Sequence, residues 1–202
     1  MHHPAELAIN QYLEDATSGK STMSEETILQ IGTDVMDAMR RQFGGGKGRD
    51  EFRLRMSNIG KPTCQLWFAK NKPEEALPKP TTFVMNMLLG DIVEAAFKGI
   101  IKEAGYPYED KDNFVSLELG GATIKGSYDI VVDGAMDDVK SASDWSYRNK
   151  FASYDTLQKS DPFGYVGQLA GYAKASGKKV GGWWVVNKAN GNIKYVPADG
   201  LV

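Results

Sequence analysis

The sequence predicts an α/β fold in which a mixed β-sheet is covered by helices on both faces. Helical periodicity dominates the first half of the chain, and short runs rich in Val, Ile and Trp follow in the second half. The dipeptide Asp133-Gly134 joins two of these runs and favours a tight type I′ hairpin turn. The last strands carry apolar residues on both faces, which is typical of strands buried on both sides.

Length, composition and charge indicate an ordinary globular protein of 202 residues. The formal net charge of -2 means that any contact with nucleic acid has to come from local basic patches. The single cysteine, Cys64, excludes an internal disulfide and is too few for an iron–sulfur cluster, so no such cluster is expected. Because no apolar run approaches a membrane span and no signal peptide is evident, we expect a cytoplasmic protein without a membrane partner.

The first predicted helix begins after Ser24, a capping residue that two glutamates follow. It ends before the glycine run 44–46. This run lacks the Gly-Lys-Ser/Thr of a phosphate-cradling loop, so we interpret it as a hinge. We therefore divide the chain into an N-terminal helical extension, residues 1–50, and a main domain, residues 51–202.

The most basic segment of the chain spans residues 40–55. Its cations are Arg40, Arg41, Lys47, Arg49, Arg53 and Arg55. Such a cluster can contact phosphates and would make binding sensitive to salt. A solvated face is the alternative, because Asp50 and Glu51 offset part of the charge.

Two helices are predicted in the middle of the chain. The first runs from Pro62 to about Ala69, because proline is favoured at the first helical position. The second is the longest, over residues 83–104, and Gly105 is placed to end it in a left-handed conformation. Its first half is apolar on nearly all sides, which predicts that this half is buried.

Glu94 lies on the polar stripe of the long helix, four residues before Lys98. The residues alone favour a surface ion pair between these two side chains. A carboxylate aimed at a metal ion is the alternative. Gly90 weakens the helix, which suggests that another part of the protein approaches closely there.

A three-stranded meander is predicted over residues 113–119, 123–132 and 135–142. Counting outward from the turn at Asp133-Gly134 places Asp129 directly opposite Asp138, with about 5 Å between their Cβ atoms. Lys140 is two positions past Asp138, so the strand period places it on the same face. The pattern therefore predicts two carboxylates and one ammonium group at the open end of a hairpin.

Two interpretations of this hairpin end stay open from the residues alone. Opposed carboxylates repel each other unless something neutralises them, and a hard divalent cation would do so. A lysine beside the ion would orient or deprotonate a water molecule or steady a phosphate. The alternative is a solvated edge, where Asp and Lys discourage pairing with other strands.

The C-terminal part is predicted to hold a helical turn, a helix and a second hairpin. The helical turn covers residues 144–151. Its two cations, Arg148 and Lys150, either touch phosphates or face solvent. The helix is expected to begin at Asp161-Pro162 and to end at about Ser176. The hairpin strands are expected at residues 180–187 and 193–196.

Gln168 and Tyr172 share one face of that helix, because they are four residues apart. A half-buried contact between helices is the interpretation that the spacing favours. The alternative is a pair that orients a water molecule and touches a DNA backbone. Gly164 and Gly171 leave room for a backbone or a ligand to come close.

Together these motifs resemble the PD-(D/E)XK nucleases, in particular the RecB-like and lambda-exonuclease-like branch. The resemblance covers roughly residues 55–196, and the segment 57–67 with Cys64 is also similar to that branch. In chain order its motifs are Gly90-Asp91-Ile92-Val93-Glu94, Gly126-Ser127-Tyr128-Asp129, Asp138-Val139-Lys140-Ser141 and Gln168-Leu169-Ala170-Gly171-Tyr172. The resemblance implies a restriction-endonuclease-like core and makes residues 51–202 a nuclease domain.

The resemblance also implies a role for each motif residue. The implied ligands of one or two Mg²⁺ ions, for which Mn²⁺ substitutes, are Glu94, Asp129, Asp138 and the carbonyl of Val139. Lys140 would position or activate the attacking water, and Gln168 and Tyr172 would complete the catalytic site. The candidate DNA contacts are Arg53, Arg55, Ser57, Lys61, Ser141, Arg148 and Lys150.

The implied activity is metal-assisted hydrolysis of phosphodiester bonds from DNA ends, in recombination, repair or replication. The expected setting is a bacterial cell or a phage-infected host. DNA with free ends is the expected partner. A single-strand-annealing or replication protein is a further expected partner. The alternatives are an endonuclease of the same fold, a catalytically silent DNA-binding or scaffold protein, and a structural domain that binds no nucleic acid.

Overall fold

A computed structural model describes residues 3–44 and 52–201 of the chain. The α-helices are α1 (Pro4–Thr17), α2 (Glu25–Phe43), α3 (Thr63–Asn71), α4 (Phe83–Glu103), α5 (Tyr154–Lys159) and α6 (Tyr165–Ser176). The strands are β1 (Tyr108–Glu109), β2 (Phe114–Leu119), β3 (Ala122–Ser127), β4 (Ile130–Val132), β5 (Ala135–Ala142), β6 (Lys179–Asn187) and β7 (Ile193–Pro197). A 3-10 turn lies at Met56–Asn58 and a π-helical turn at Ser146–Lys150. The predicted hinge beyond Gly44, the boundary at residue 50, Lys47 and Arg49 lie outside the described residues.

The main sheet is mixed and has the strand order β1-β4-β5-β6-β7. Strands β5 and β6 are parallel, and the other neighbours are antiparallel. Strands β2 and β3 form a separate two-stranded sheet. The helices α1 and α4 pack on one face of the main sheet and α6 packs on the other. The predicted α/β fold with a mixed sheet between helices is confirmed.

Strand β6 separates the two hydrophobic layers of the protein. Trp184 faces Phe97 and Ile101 of α4, whereas Trp183 faces Leu169 of α6. Both tryptophans are fully buried, as the apolar character of both strand faces predicts. Side chains of this size stabilise the fold by about 1.5–3 kcal/mol each when they leave water. In residues 3–44 and 52–201 no helix combines the length and the apolar character that crossing a membrane requires.

The hairpin between β4 and β5 has the predicted turn. Asp133 and Gly134 have φ angles of 52° and 75°, as a type I′ turn requires at both central positions. Val132 pairs with Ala135 and Ile130 pairs with Asp137, which is the predicted register.

The predicted meander is wrong, because the segment 123–132 is two strands that belong to different sheets. Strand β3 ends at Ser127 and pairs with β2, whereas β4 pairs with β1 and β5. The chain crosses between the sheets at Tyr128 and Asp129. Asn113 fixes this crossover through two hydrogen bonds to Tyr128. The side-chain amide of Asn113 donates to the Tyr128 carbonyl at 2.7 Å, and the backbone carbonyl of Asn113 accepts from the Tyr128 N–H at 3.1 Å.

The N-terminal helices pack directly on α4. Helix α1, which no sequence signal predicted, places Ala5 and Ile9 in the core beside Phe97. Helix α2 begins at the predicted cap, where the Ser24 hydroxyl accepts from the Thr27 N–H. Gly99 lets α2 approach closely, because a Cβ there would lie 2.4 Å from Cδ1 of Ile31.

The first half of α4 is not buried as predicted. Met85, Met87 and Leu89 are 50%, 45% and 40% exposed, because the sheet and α1 cover the second half of the helix instead. The predicted C-terminal end is confirmed, since Gly105 follows α4 with a φ angle of 76°.

Two predicted helix starts are displaced. Pro62 precedes α3 as its cap residue, and the helix begins at Thr63. Helix α6 begins at Tyr165 instead of Pro162, because Gly164 adopts a left-handed conformation that interrupts a helix. Asp161 still caps α6, since its Oδ2 accepts from the Val166 N–H at 2.8 Å.

A buried carboxylate sits where the pairing of β5 with β6 shifts register. Asp137 is 1% exposed and accepts hydrogen bonds from the Gly182 N–H, the Trp184 indole N–H and the Tyr195 hydroxyl, at 2.8, 2.9 and 2.9 Å. Gly181 makes room for it, because a Cβ there would lie 2.0 Å from Oδ1 of Asp137. Three donors therefore hold one acceptor-only group in the core.

We expect Asp137→Asn to lower the free energy of unfolding by about 1–3 kcal/mol, because the new amide would face groups that are themselves donors. Burial raises the pKa of Asp137 to about 7. The carboxyl group of Asp137 therefore holds its proton more tightly in the folded protein than in the unfolded chain. As pH rises from about 4 to about 7, ionisation of this group lowers the free energy of unfolding. The variant loses that part of the pH dependence.

Urea unfolding in EDTA at about pH 5 and about pH 8 measures both effects. The matched control is Asp112→Asn, which changes an exposed carboxylate. An Asp137→Asn protein as stable as the control at both pH values would show that the three hydrogen bonds contribute nothing.

Candidate active site

Four elements bring the predicted site residues to one end of the main sheet. Asp129 lies at the crossover from β3 to β4, and Asp138 and Lys140 lie on β5. The Val139 N–H donates to Oδ2 of Asp129 at 2.8 Å, which holds this carboxylate beside β5. The hairpin pairing ends at Ile130 and Asp137, one residue before the predicted pair Asp129 and Asp138, whose direct opposition stays a prediction.

Asp138 and Lys140 form a buried ion pair. The Lys140 Nζ lies 2.5 Å from Oδ2 of Asp138, which is 3% exposed. Burial lowers the pKa of Lys140, but the carboxylates of Asp138 and Asp129 outweigh it and raise the pKa above its usual value. Lys140 is therefore an ammonium group, which suits it to hold an anion in place and not to remove a proton.

The three carboxylates of the site raise one another's pKa. Burial and then the charge of Asp138 raise the pKa of Asp129 to about 6. Burial and then Asp129 raise the pKa of Glu94. Burial also raises the pKa of Asp138. The ammonium group of Lys140 opposes this rise, and the charge of Glu94 adds to it. The site thus concentrates negative charge that the surrounding chain only partly neutralises.

Glu94 reaches the site from α4. Its Oε1 lies 2.8 Å from the Lys98 Nζ, which is the ion pair that the residues alone favour. Glu94 and Asp129 also line one pocket of about 500 Å³. Glu94 therefore both pairs with Lys98 and shares a pocket with Asp129. Lys98 is half-buried and lies 3.9 Å from Asp110, which makes it a second cation of the site.

Gln168 and Tyr172 reach the site from α6. Burial and then the charge of Asp129 raise the pKa of Tyr172 to about 12, and a hydrogen bond from Gln168 opposes this rise. Gly126 makes room for the phenol, because a Cβ there would lie 2.8 Å from the Tyr172 hydroxyl. Gln168, which is half-buried, and the buried Tyr172 therefore form a pair that also faces the carboxylates.

The segment 57–61 is held against the start of α6. A Cβ on Gly164 would lie 2.5 Å from the Ile59 carbonyl oxygen, and one on Gly171 would lie 2.7 Å from the Ile59 side chain. The space that these glycines leave is thus filled by the protein's own chain. In this segment Ser57 is exposed and Lys61 is half-buried.

The other candidate DNA contacts lie on two sides of the site. Arg53 and Arg55 line a groove beside β3. Ser141 follows Lys140 on β5. Lys150 lies over the ring of Tyr165 at 4.6 Å, and the same ring lies 5.1 Å from the Lys140 Nζ.

Arg148 and Gly90 take ordinary structural positions. Arg148 is exposed and pairs with Asp144 at 2.9 Å. The expectation of a close approach at Gly90 is wrong, because a Cβ there would meet the Ser141 Oγ only at 3.9 Å, an ordinary contact. The space around Gly90 therefore accepts an added methyl group.

Sequence reasoning missed Tyr165 and assigned Lys98 only a surface role. Tyr165 contacts Lys140 from an element 25 positions away, and local periodicity gives no sign of such a contact. The spacing of Glu94 and Lys98 does reveal their pairing. It does not reveal that Asp129 lies across the same pocket.

The described part of the chain contains no group of three or more His, Cys, Asp or Glu side chains arranged to hold a metal ion as they stand. Glu94 is turned toward Lys98, and Asp138 is paired with Lys140. The donor chemistry nevertheless suits a hard divalent cation, because carboxylates that raise one another's pKa gain from a shared positive charge.

No family model matches the chain, and no curated protein matches it. A solved structure titled "Crystal structure of SSO0001" is similar to it with a TM-score of 0.47 and 12% sequence identity. The match covers 82% of this chain and 76% of that one. A likeness at this level supports no conclusion about function.

We expect Asp129→Asn to raise the free energy of unfolding by roughly 1–2 kcal/mol near pH 8 in EDTA. The change removes a charge beside Asp138 and keeps an oxygen for the Val139 N–H. Because the pKa of Asp129 in the folded protein is raised to about 6, ionising it costs stability as pH rises from about 4 to about 6. Urea unfolding across this range should show a smaller loss in the variant.

The control for this measurement is Asp199→Asn, which changes an exposed carboxylate outside the site. If Asp129→Asn is less stable than wild type at both ends of the pH range, the carboxylates do not repel each other as described.

Proposed function

We propose that the protein is a Mg²⁺-dependent deoxyribonuclease that hydrolyses phosphodiester bonds from DNA ends. The observation that supports this most is the meeting of Glu94, Asp129 and Asp138 beside the ammonium group of Lys140. Carboxylates from a helix, a crossover and a strand beside a lysine suit a divalent cation and a phosphate. Recombination, repair or replication is the proposed setting.

Glu94, Asp129 and Asp138, with the carbonyl of Val139, would hold the Mg²⁺ ion, or Mn²⁺ in its place. The ion would polarise the scissile phosphate and lower the pKa of a water molecule. To bind it, Glu94 has to turn from Lys98, and Asp138 has to share its charge with Lys140. The carboxylate of Asp129 is already fixed by the Val139 N–H.

Lys140 and Tyr172 contribute as hydrogen-bond donors. The raised pKa of Lys140 keeps it protonated, so its Nζ donates to a phosphate oxygen and stabilises charge that develops there. The phenol of Tyr172, with a pKa raised to about 12, also keeps its proton at neutral pH. Gln168 holds the phenol in place through their hydrogen bond.

Phosphates next to the scissile bond would meet polar groups on both sides of the site. Ser57 and Lys61 project from the segment packed on α6, and Ser141 follows Lys140 on β5. Lys150 reaches the same side through the ring of Tyr165. The Gln-x-x-x-Tyr helix favours digestion from ends over internal cleavage, by its resemblance to end-processing nucleases.

We expect wild type to degrade end-labelled linear DNA with Mg²⁺ and to spare closed circular DNA. Lys140→Ala should reduce the rate about 100-fold or more, because it removes a donor to the phosphate. The measurement is release of labelled nucleotides over time, and circular dichroism verifies that each variant is folded.

The matched control is Lys178→Ala, which removes a partly exposed ion pair with Glu109 and should leave the rate unchanged. Equal rates for wild type and Lys140→Ala would end the nuclease proposal. Cleavage of closed circles at a similar rate would instead favour an endonuclease.

We also expect Mg²⁺ to raise the melting temperature of the wild-type protein. A cation that binds only the folded state at about 100 times its Kd adds about 2.7 kcal/mol, which is a rise of roughly 5–10 °C for a chain of this size. The rise should be much smaller in Asp129→Asn, because a ligand and a charge are lost. Differential scanning fluorimetry with Mg²⁺ and with EDTA measures it.

The control for this experiment is Asp112→Asn, which should respond to Mg²⁺ as wild type does. A Mg²⁺ effect of the same size in Asp129→Asn would show that the ion acts elsewhere on the protein.

A further inference from the structure

A long groove lies beside the candidate active site and not in it. It has a volume of about 1090 Å³ and runs between α3 on one side and β3 on the other. The segment 52–55 and Phe114 of β2 also line it, and the isolated bridge between Arg55 and Lys125 joins this segment to β3. The groove is therefore built by four separate parts of the chain.

The charge of this groove differs from that of the whole protein. Arg53, Arg55, Lys70 and Lys125 line it, and no Asp or Glu is among its described lining residues. The chain as a whole carries a net charge of -2. The described lining of the groove thus carries a local excess of positive charge, which is the complement of a phosphate backbone.

Aromatic side chains are interleaved with these cations. Trp67 of α3 is 52% exposed and Phe114 of β2 is 64% exposed, and both line the groove. An exposed aromatic face between basic residues is the arrangement on which unpaired bases stack. Bases inside a duplex are covered by their neighbours and leave no face for such stacking.

The groove leads to the carboxylates. Ser127 lines both the groove and the pocket of Glu94 and Asp129. Only Tyr128 separates Ser127 from Asp129 in the chain, and Gly126, at the end of the groove, makes room for Tyr172. The groove and the pocket thus adjoin at Ser127, so a strand in the groove would lie next to the carboxylates.

We propose that this groove binds a single nucleic-acid strand, with a base stacked on Trp67 and phosphates held by Arg53, Arg55, Lys70 and Lys125, and delivers it to the carboxylates. The proposal rests on the proposed nuclease function and deepens it, because it names single-stranded DNA as the form that enters the site. The indole supplies the stacking surface, and the cations supply affinity that falls with salt.

The test is equilibrium binding of a fluorescein-labelled oligothymidylate of about 12 nucleotides to the full chain in EDTA, followed by fluorescence anisotropy. Trp67→Ala should weaken binding about tenfold or more, and Trp67→Phe should keep most of the affinity because it keeps a ring. Lys125→Ala should reduce the slope of log affinity against log salt by about 0.7.

The matched control is Trp145→Ala, which removes an indole outside the groove. Trp145 is 68% exposed and is not among the groove's lining residues. This variant should bind within about twofold of wild type, since it removes no stacking surface from the groove. An equal loss in Trp67→Ala and Trp145→Ala would overturn the stacking role of Trp67.

Two further outcomes would overturn the proposal. One is that Trp67→Ala binds the oligonucleotide as tightly as wild type does. The other is that an unlabelled blunt duplex of the same length displaces the labelled strand as well as an unlabelled single strand does. Because EDTA prevents metal-dependent cleavage, this experiment is separate from the nuclease test. If the protein binds the single strand through Trp67 but cleaves no DNA, the proposal for the groove stands and the proposed nuclease function is wrong.

Discussion

The mutual repulsion of Asp129, Asp138 and Glu94 is the constraint around which this protein is organised. Burial alone makes each of these charges costly, and their proximity adds to the cost. Two lysines offset it from separate elements, Lys140 on β5 and Lys98 on α4. A buried charge without a partner costs several kcal/mol, so the two ammonium groups make the folded site tolerable before any ligand arrives.

The backbone around these charges is built to bring them together. The chain leaves the small sheet at Ser127 and enters the large one at Ile130, which leaves Asp129 between two sheets with its carboxylate on the Val139 N–H. Gly126 clears the space that the Tyr172 hydroxyl occupies. On the other side of β5, Asp137 is held by three donors of β6 and β7, which fixes the strand that carries Asp138.

The sequence was most informative where local rules decide the structure. The type I′ turn at Asp133-Gly134 and the pairing of Ile130 with Asp137 follow from short-range geometry, and both are found. The single strand expected over 123–132 was wrong, because the change of sheet at Tyr128 depends on Asn113, which is distant in the chain. The contact of Tyr165 with Lys140 has the same long-range origin. Periodicity describes one element at a time and cannot report which elements meet.

The pocket of Glu94 and Asp129 has a wall that comes from far upstream. Asp34, Asp37 and Arg41 of α2 line it, and α2 is seated on α4 where Gly99 admits Ile31. A protein expressed from residue 52 onward would therefore lack one side of this pocket. Trimming the chain to the segment that carries the motifs would change the electrostatic environment of Glu94 and Asp129 as well as the length of the polypeptide.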